Sequence, residues 1–204
     1  MAWYDIDVNA DISKWVEYQN RVAGGKPRSL LVEALSYVEK RDAALDLGAG
    51  ALTDAQLLLD QDFTEVIAVD IAPQFKGLSY AAGVRFKYIQ ERIEKYEFAI
   101  GHFDLISAQY ALPFVSPENF SEIWTNIRDA LKTKGVFTGQ IFGERDDWFG
   151  RNGIAFHTKE MVENLIGDGN FKALVCREEE YSEPTGREKH WHYFDLILKK
   201  MPAH

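Results

Sequence analysis

Apolar residues recur at two different spacings along this chain, and the changes of spacing mark the predicted elements. Before residue 40 the spacing is helical: Trp15 and Tyr18 lie near one stripe, and residues 30–38 carry a second. The apolar run from Ala43 to Leu47 is short, which is typical of a buried strand. The pattern therefore predicts two helices followed by the first strand of a sheet.

Four more strand-like segments follow, each rich in β-branched or aromatic residues and separated from the next by enough chain for a crossover. They are EVIAVDI (residues 65–71), VRFKYI (84–89), FDLISAQ (103–109) and GVFTGQIFG (135–143). The helix-like TDAQLLLD follows the first strand, and another helix is predicted from Ser116 as N-cap and Pro117 as first helical residue. This alternation predicts a parallel sheet.

The last third of the chain has a different pattern. A short helix is predicted over residues 158–166, followed by ALVCREEEY and HWHYFDLILKK, which the turn-rich SEPTGREK joins. Two strands with such a connection form an antiparallel hairpin. The predicted fold class is therefore α/β, a doubly wound and mostly parallel sheet with helices on both faces and one reversed strand near its edge.

Composition and charge narrow the function classes. With 204 residues, 46% of them hydrophobic, the chain suits one domain, in which residues 1–40 form a helical cap on a core of residues 41–204. A net charge of -9 argues against nucleic acid as a partner. No apolar run reaches membrane-spanning length and the start has no export signal, so no membrane partner and a cytoplasmic location are expected. The sequence assigns no oligomeric state.

The stretch LDLGAG (residues 45–50) suggests a nucleotide-like ligand. Gly48 and Gly50 allow a sharp turn after the first strand and let a ligand lie against the main chain. Asp70 ends the second strand, where its carboxylate can accept hydrogen bonds from both hydroxyls of a ribose. A dinucleotide fingerprint has a third glycine at the position of Thr53, which favours an adenosyl ligand without a diphosphate.

Four motifs in order, LDLGAGA, VIAVDIA, FDLISAQYALPF and LKTKGVFTGQIFG, resemble those of the class I S-adenosylmethionine-dependent methyltransferases. The similarity covers roughly residues 40–200. It implies a Rossmann-like sheet of seven strands with the seventh antiparallel, S-adenosylmethionine as cofactor, and methyl transfer from its sulfonium. The family's first motif has a further glycine where this chain has Leu52.

The resemblance assigns cofactor-binding residues by position. After the third strand it leaves two alternatives for the adenine amino group, Gln90 and Glu91, with Ile93 packing nearby. The cofactor set is Asp46, Gly48, Ala49, Gly50, Asp70, Ile71, Gln90, Glu91, Ile93 and Gln109.

Within the family, FGERDDW and KHWHYFDLILKK resemble the small bacterial enzymes of the tellurite-resistance and thiopurine type, which implies a small-molecule methyl acceptor. Segments after the fourth and fifth strands should line its pocket, since ligands bind beyond the carboxyl ends of such strands. Gln109, Tyr110 and Trp148 are the candidate catalytic residues. Their alternative roles are a strand cap for Gln109 and packing for both aromatic rings.

Two other functions share the glycine turn and Asp70. An NAD-dependent oxidoreductase would have to accommodate Thr53, and a non-catalytic module would bind S-adenosylmethionine without transferring its methyl group.

Three groups of side chains outside these motifs each allow a functional and a structural interpretation. Trp3, Tyr4, Trp15 and Tyr18 could form a lid, although aromatic residues at helical spacing are more often core. His190 and His192 share a strand face, but two ligands are too few for a metal, so packing is expected and no metal site is predicted. Cys176 is expected to be a buried, inert thiol.

Overall fold

The computed structural model describes residues 12–74, 78, 83–182 and 189–202. Its helices are α1 (Ile12–Val22), α2 (Ser29–Ala34), α3 (Thr53–Asp60), α4 (Phe120–Ala130) and α5 (Lys159–Asp168). Its strands are β1 (Ala43–Leu47), β2 (Glu65–Asp70), β3 (Arg85–Gln90), β4 (Phe103–Ala108), β5 (Leu131–Gly143), β6 (Phe156–His157), β7 (Phe171–Ser182) and β8 (His190–Lys200). No helix in these ranges is long and apolar enough to cross a bilayer.

One sheet runs through the described residues in the order β3-β2-β1-β4-β5-β8-β7, and the two-residue β6 pairs with β5. The strands from β1 to β5 pair in parallel, whereas β8 is antiparallel to both of its neighbours. This confirms the predicted doubly wound sheet with a reversed strand. The chain winds one way from β1 to β3 and the other way from β4, so the switch point of the sheet lies at the carboxyl ends of β1 and β4.

Alternation along the strands divides the core between two faces of the sheet. Ala44 on β1 belongs to the cluster that packs under α2 and α3, together with Leu105 of β4. The next residue, Leu45, belongs to the cluster under α4 and α5, together with Ile106. Because successive side chains of a strand point to opposite faces, both faces are apolar and both carry helices.

Two predicted boundaries are wrong. Ser116 and Pro117 lie in a turn and α4 begins at Phe120, because the Asn119 side chain donates to Ser116 Oγ at 2.8 Å and closes that turn before the helix. Strand β5 begins at Leu131 rather than Gly135, since the buried Leu131 pairs with Phe103 across an irregular register. Polar Lys132 and Lys134 hid this extension in the sequence.

The C-terminal hairpin is confirmed, and β8 covers the predicted HWHYFDLILKK. Cys176, in contrast, is exposed, so the expectation of a buried thiol is wrong. Cys176 pairs with Leu196 of β8, but β7 is the last strand of the sheet, and this edge position leaves the thiol accessible.

Candidate active site

A cleft of about 750 Å³ opens at the carboxyl ends of β1, β2 and β4, where the sheet has its switch point. Loops after these strands form its floor and α1 with the following loop covers it. Most of the residues predicted from the sequence line it: Gly48, Ala49, Gly50, Asp70, Ile71, Glu91, Ile93, Gln109, Tyr110 and Trp148. Asp46 lies beneath the floor with 2% of its surface exposed, and Gln90 lies outside the lining.

The glycine turn after β1 is packed against the loop after β4. Gly48 has φ +71°, and a Cβ there would come within 2.5 Å of Ala111 Cβ, so a larger residue would push that loop away. The N–H groups of Gly48 and Ala49 both donate to the Val69 carbonyl, at 2.8 and 3.1 Å. The turn therefore offers close approach to the main chain, while these two donors are already engaged.

Asp70 closes β2 and fixes the far side of the turn. One carboxylate oxygen accepts the Gly50 N–H and the other the Ala72 N–H, each at 2.8 Å. A carboxylate has about four acceptor positions, so two bonds leave capacity for a ligand diol. Burial raises the pKa of Asp70 and the two N–H groups counteract it. The geometry fits the ribose role that the resemblance implies.

Two further carboxyl groups lie close to Asp70. Asp46 Oδ2 finds no hydrogen-bond partner among the described residues, and burial, followed by the charges of Asp54 and Asp70, raises the Asp46 pKa well above its usual range. Asp54, in the first turn of α3, accepts the Arg28 N–H at 2.9 Å, and burial raises its pKa too. Three carboxyl groups beside the turn suit a ligand with cationic groups and oppose a diphosphate at the start of α3.

Sequence reasoning missed Asp54. An acidic residue in the first turn of a helix that follows a glycine turn is the signal that could have identified it.

The two alternatives after β3 are separated by position. Gln90 is exposed and its amide lies 3.4 Å from the Ile71 carbonyl, outside the cleft lining. Glu91 and Ile93 both line the cleft, and Glu91 Oε1 accepts the Arg92 N–H at 2.9 Å. Glu91 is therefore the better placed of the two to contact a ligand in the cleft.

Gln109 and Tyr110 are held by a buried polar network. The Gln109 amide donates to Ser107 Oγ and Thr138 Oγ1, both at 3.4 Å, and its carbonyl accepts from Gln140 at 3.4 Å. The Gln140 carbonyl in turn accepts the Tyr110 N–H at 2.9 Å. Gln140 is 2% exposed and was missed from the sequence, because its role depends on the pairing of β5 with its neighbours.

Tyr110 has the backbone conformation of a constrained site. Its φ is +55°, which non-glycine residues adopt rarely and at some cost. Burial, then the neighbouring Tyr193, raises the pKa of Tyr110. The phenol is thus protonated near neutrality and can donate a hydrogen bond, but it is not a general base.

Trp148 is buried beside an internal ion pair. Lys189 Nζ lies 2.6 and 2.8 Å from the two Asp146 oxygens, and the Trp148 backbone N–H donates to the same carboxylate at 2.9 Å. The ammonium also lies 4.4 Å from the Trp148 ring centroid and 3.4 Å from that of Trp191. Burial lowers the pKa of Lys189, against the effect of Asp146. The ammonium group of Lys189 therefore already contacts the rings of Trp148 and Trp191.

The N-terminal segment covers the cleft by polar and aromatic contacts. Gln19 donates to the Gly50 carbonyl at 2.9 Å, and Trp15 packs edge-on against Phe114 with centroids 5.1 Å apart. Arg28 donates to Tyr18 OH at 3.0 Å and lies 5.3 Å from the Tyr110 ring centroid. Trp15 and Tyr18 thus line the cleft, whereas Trp3 and Tyr4 fall outside the described residues.

Histidine and acidic side chains meet at one other place. Glu178, Glu180 and His192 come together on the hairpin, but the Arg145 guanidinium ion-pairs with both carboxylates. His192 Nδ1 accepts the Arg145 backbone N–H at 3.0 Å, so the neutral ring carries its proton on Nε2. The cluster has arginine as its cation, and His192 is packed with 1% of its side chain exposed.

Comparisons with known proteins agree with this geometry. Residues 44–135 match a family model described as a methyltransferase domain. No curated protein matches the chain.

Solved structures share the fold at low identity. A Methanosarcina mazei S-adenosylmethionine-dependent methyltransferase is 20% identical, with TM-score 0.65, 87% of this chain covered and 100% of that chain. A Burkholderia thailandensis 1,6-didemethyltoxoflavin-N1-methyltransferase, solved with its substrate and S-adenosylhomocysteine, is 19% identical with TM-score 0.67, covering 94% and 87%. The [4+2]-cyclase SpnF is 14% identical with TM-score 0.66, covering 94% of each chain.

The sequence match spans the glycine turn, Asp70 and Gln109, which are the parts of the chain that build the cleft floor. Residues 44–135 are therefore similar to a methyltransferase domain, and the chain has the fold of solved S-adenosylmethionine-dependent methyltransferases.

Proposed function

We propose that the protein transfers a methyl group from S-adenosylmethionine to a small-molecule acceptor. The observation that carries the proposal is the turn between β1 and α3: it packs on Ala111, its Gly48 and Ala49 donors are engaged, and Asp70 keeps acceptor capacity toward the cleft. Such a site fits an adenosyl group and an amino-acid tail better than a diphosphate. When bound, S-adenosylmethionine supplies an electrophilic methyl group on a sulfonium.

The described residues have distinct tasks in this proposal. Asp70 holds the ribose, and Glu91 with Ile93 contacts the adenine. Asp54 provides negative charge beside the cationic part of the ligand, and the buried Asp46 carboxyl beneath the turn has an unpartnered oxygen that can accept a hydrogen bond. Alignment of donor and acceptor then contributes much of the rate, since in-line transfer between well-placed groups gains about 10⁵ M or more in effective molarity.

The small size of the acceptor is supported by the enclosure of the cleft. Helix α1 and the loop after it cover the space beyond the cofactor residues. The two motifs that resemble the tellurite-resistance and thiopurine enzymes meet in the structure, because Asp146 and Trp148 of the first contact Lys189 of the second. We place the reaction in the cytoplasm, where the lone Cys176 would stay reduced.

The fold alone does not carry this proposal, since it also serves the cyclase SpnF. Calorimetry with S-adenosylmethionine and S-adenosylhomocysteine tests the cofactor directly. Asp70→Asn replaces one acceptor oxygen by an amide that faces N–H donors, so we expect affinity to fall by at least about tenfold. Asp168→Asn, on the exposed end of α5, is the matched control and should bind normally.

Two results would reject the proposal. One is a folded protein that binds neither cofactor form, and the other is an Asp70→Asn variant with unchanged affinity. Release of S-adenosylhomocysteine during incubation with a panel of acceptors separates an enzyme from a module that binds the cofactor without turnover.

A further inference from the structure

The part of the cleft away from Asp70 is walled by aromatic rings. We call this set the aromatic wall; it consists of Trp15, Phe114, Phe142, Trp148, Tyr181 and Trp191. Neighbouring rings along the wall contact each other. Their centroids are 5.1 Å apart for Trp15 and Phe114, 6.4 Å for Phe114 and Trp148, and 5.4 Å for Trp148 and Trp191. The rings are inclined to one another by 75, 56 and 58°, so a flat aromatic guest can stack on one of them and meet its neighbours edge-on, a geometry that a saturated guest cannot reproduce.

The carboxylates in the described lining of the cleft lie at one of its ends. The carboxylates of the lining, Asp54, Asp70, Glu91 and Glu94, follow β1, β2 and β3 on the cofactor side. Among the described residues that line the acceptor side, from α1, the loops after α1, β4 and β5, and strands β5, β7 and β8, none is acidic and none is histidine. This described lining therefore offers no counter-ion to a cationic acceptor and no general base to an acidic proton of the acceptor.

Arg28 is placed to pair with a negatively charged group of the acceptor. Its guanidinium contacts two neutral groups, Tyr18 OH at 3.0 Å and the Tyr110 ring at 5.3 Å from its centroid, and it lines the acceptor side of the cleft. The nearby carboxylate of Asp54 is bonded to the Arg28 backbone N–H. A planar guanidinium can pair with an anionic group of a ligand while it stacks on the tyrosine.

The aromatic wall attracts a cationic ligand only weakly. Its tryptophan faces already serve Lys189, which lies 3.4 Å from the Trp191 centroid, and Arg151, which lies 5.2 Å from the Trp148 centroid. Aromatic rings that already hold a cation attract a second one less, because the two like charges repel each other.

We infer that the methyl acceptor is a planar aromatic anion, stacked on the aromatic wall with its negative group paired to Arg28. This inference rests on the proposed function. The lone pair of the acceptor atom forms the new bond to the methyl carbon, the carbon–sulfur bond breaks, and its electron pair stays on sulfur. Any proton on the acceptor atom is taken up by water, because none of the described residues on the acceptor side is a carboxylate or a histidine.

A matched series of ligands tests the inference on the wild-type protein saturated with S-adenosylhomocysteine. The probes are 2-naphthoate, neutral 2-naphthylmethanol, cationic 2-naphthylmethylammonium and the saturated anion decahydro-2-naphthoate, measured by calorimetry at neutral pH. We expect 2-naphthoate to bind at least about fivefold more tightly than each of the other three. Equal or tighter binding of the cation or of the saturated anion would overturn the inference, as would no detectable binding of 2-naphthoate.

The variant Arg28→Met tests the charged contact. It should weaken 2-naphthoate by about fivefold and leave 2-naphthylmethanol within about twofold. Arg41→Met is the matched control, because Arg41 donates to the Gln61 carbonyl outside the cleft. Unchanged 2-naphthoate affinity in Arg28→Met would remove the role of Arg28.

The same titrations keep the two proposals apart. If S-adenosylhomocysteine fails to bind the wild-type protein, the proposed function and this inference fall together. If it binds and the naphthyl series shows no preference for the aromatic anion, the inference alone is rejected.

Discussion

Leu52 occupies a left-handed backbone position at which the motif that this sequence resembles has a glycine. It has φ +63° at the N-cap of α3, a region that costs an L-residue about 1–2 kcal/mol, yet its side chain is only 2% exposed. Burying a leucine gains about 1.5–3 kcal/mol, and removing one leaves a cavity as well. The core contact therefore outweighs the strained turn.

The prediction is that Leu52→Gly lowers the free energy of unfolding by about 1–3 kcal/mol, although it relieves the positive φ. Asp62→Gly is the control, since Asp62 has the same φ of +63° and an exposed side chain, so this change should be neutral or stabilising. Urea denaturation of both variants provides the measurement. A more stable Leu52→Gly protein would show that strain dominates at this turn.

At the residue scale, sequence reasoning worked where the signal is local. Gly48, Gly50 and Asp70 stand next to recognisable strands, so their positions followed from spacing. Gln19 and Arg28 are held at the cleft, and Gln140 supports the cleft residue Tyr110, through contacts between residues more than 20 positions apart. No pattern along the chain could reveal those contacts.

Among the described α-helices, α1 is the one that buries no apolar residue. Its buried residue is a glutamine, Gln19, and its contacts include the bond to Gly50 and the packing of Trp15 against Phe114. Helix α4, by contrast, buries five residues: Phe120, Ile123, Trp124, Ile127 and Ala130. Elements with few buried apolar contacts open with low free energy.

We therefore predict that amides of α1 exchange with solvent faster than those of α4, and that S-adenosylhomocysteine slows exchange in α1 more than in α4. Gln19→Met should speed exchange in α1 further, because it removes the donor to Gly50 and costs about 1 kcal/mol. Glu17→Gln, on the exposed side of the same helix, is the control. Hydrogen exchange read by mass spectrometry would contradict the prediction if cofactor binding left α1 unprotected.

The existence of each strand was easier to predict than the residue at which a helix or a strand begins. The limits of β8 follow from a strong alternation bounded by turn residues. The start of β5 was missed because Leu131 pairs across an irregular register, and the start of α4 was missed because Asn119 bonds to Ser116. Both errors arise from tertiary or turn contacts that override the local signal.

For the whole molecule, a buried histidine sets part of the acid stability. His157 on β6 packs against Phe120, with ring centroids 4.3 Å apart, and burial lowers its pKa to about 4. Its unfolded value is about 6.5, so the unfolded chain takes up a proton first as the pH falls. Stability is therefore lost between pH of about 6.5 and about 4, and this one group accounts for about 3 kcal/mol.

We predict that His157→Phe keeps the ring contact and removes this component of the acid destabilisation. The difference between unfolding free energies near pH 7 and pH 4 should shrink by about 3 kcal/mol relative to the wild type. Phe156→Leu, at the neighbouring position of β6, changes no titratable group and serves as the control that should leave the difference unchanged. An unaltered pH slope in His157→Phe would contradict the burial argument.

The doubly wound, mostly parallel sheet with a reversed strand was expected from the sequence and is confirmed, whereas the coverage of the cleft by α1 could not be predicted from composition or periodicity. The fold follows from repeated apolar runs. Closure of the cleft depends on isolated polar contacts.

The reversed strand has a consequence for how such a protein can change over evolutionary time. By running back between β5 and β7, β8 brings Lys189 and Trp191 beside Asp146 and Trp148. These residues lie outside the segment 44–135 that matches the family model, while Gly48, Asp70 and Glu91 lie inside it. Substitutions in the C-terminal third can thus change the acceptor side of the cleft while the residues on the cofactor side stay the same.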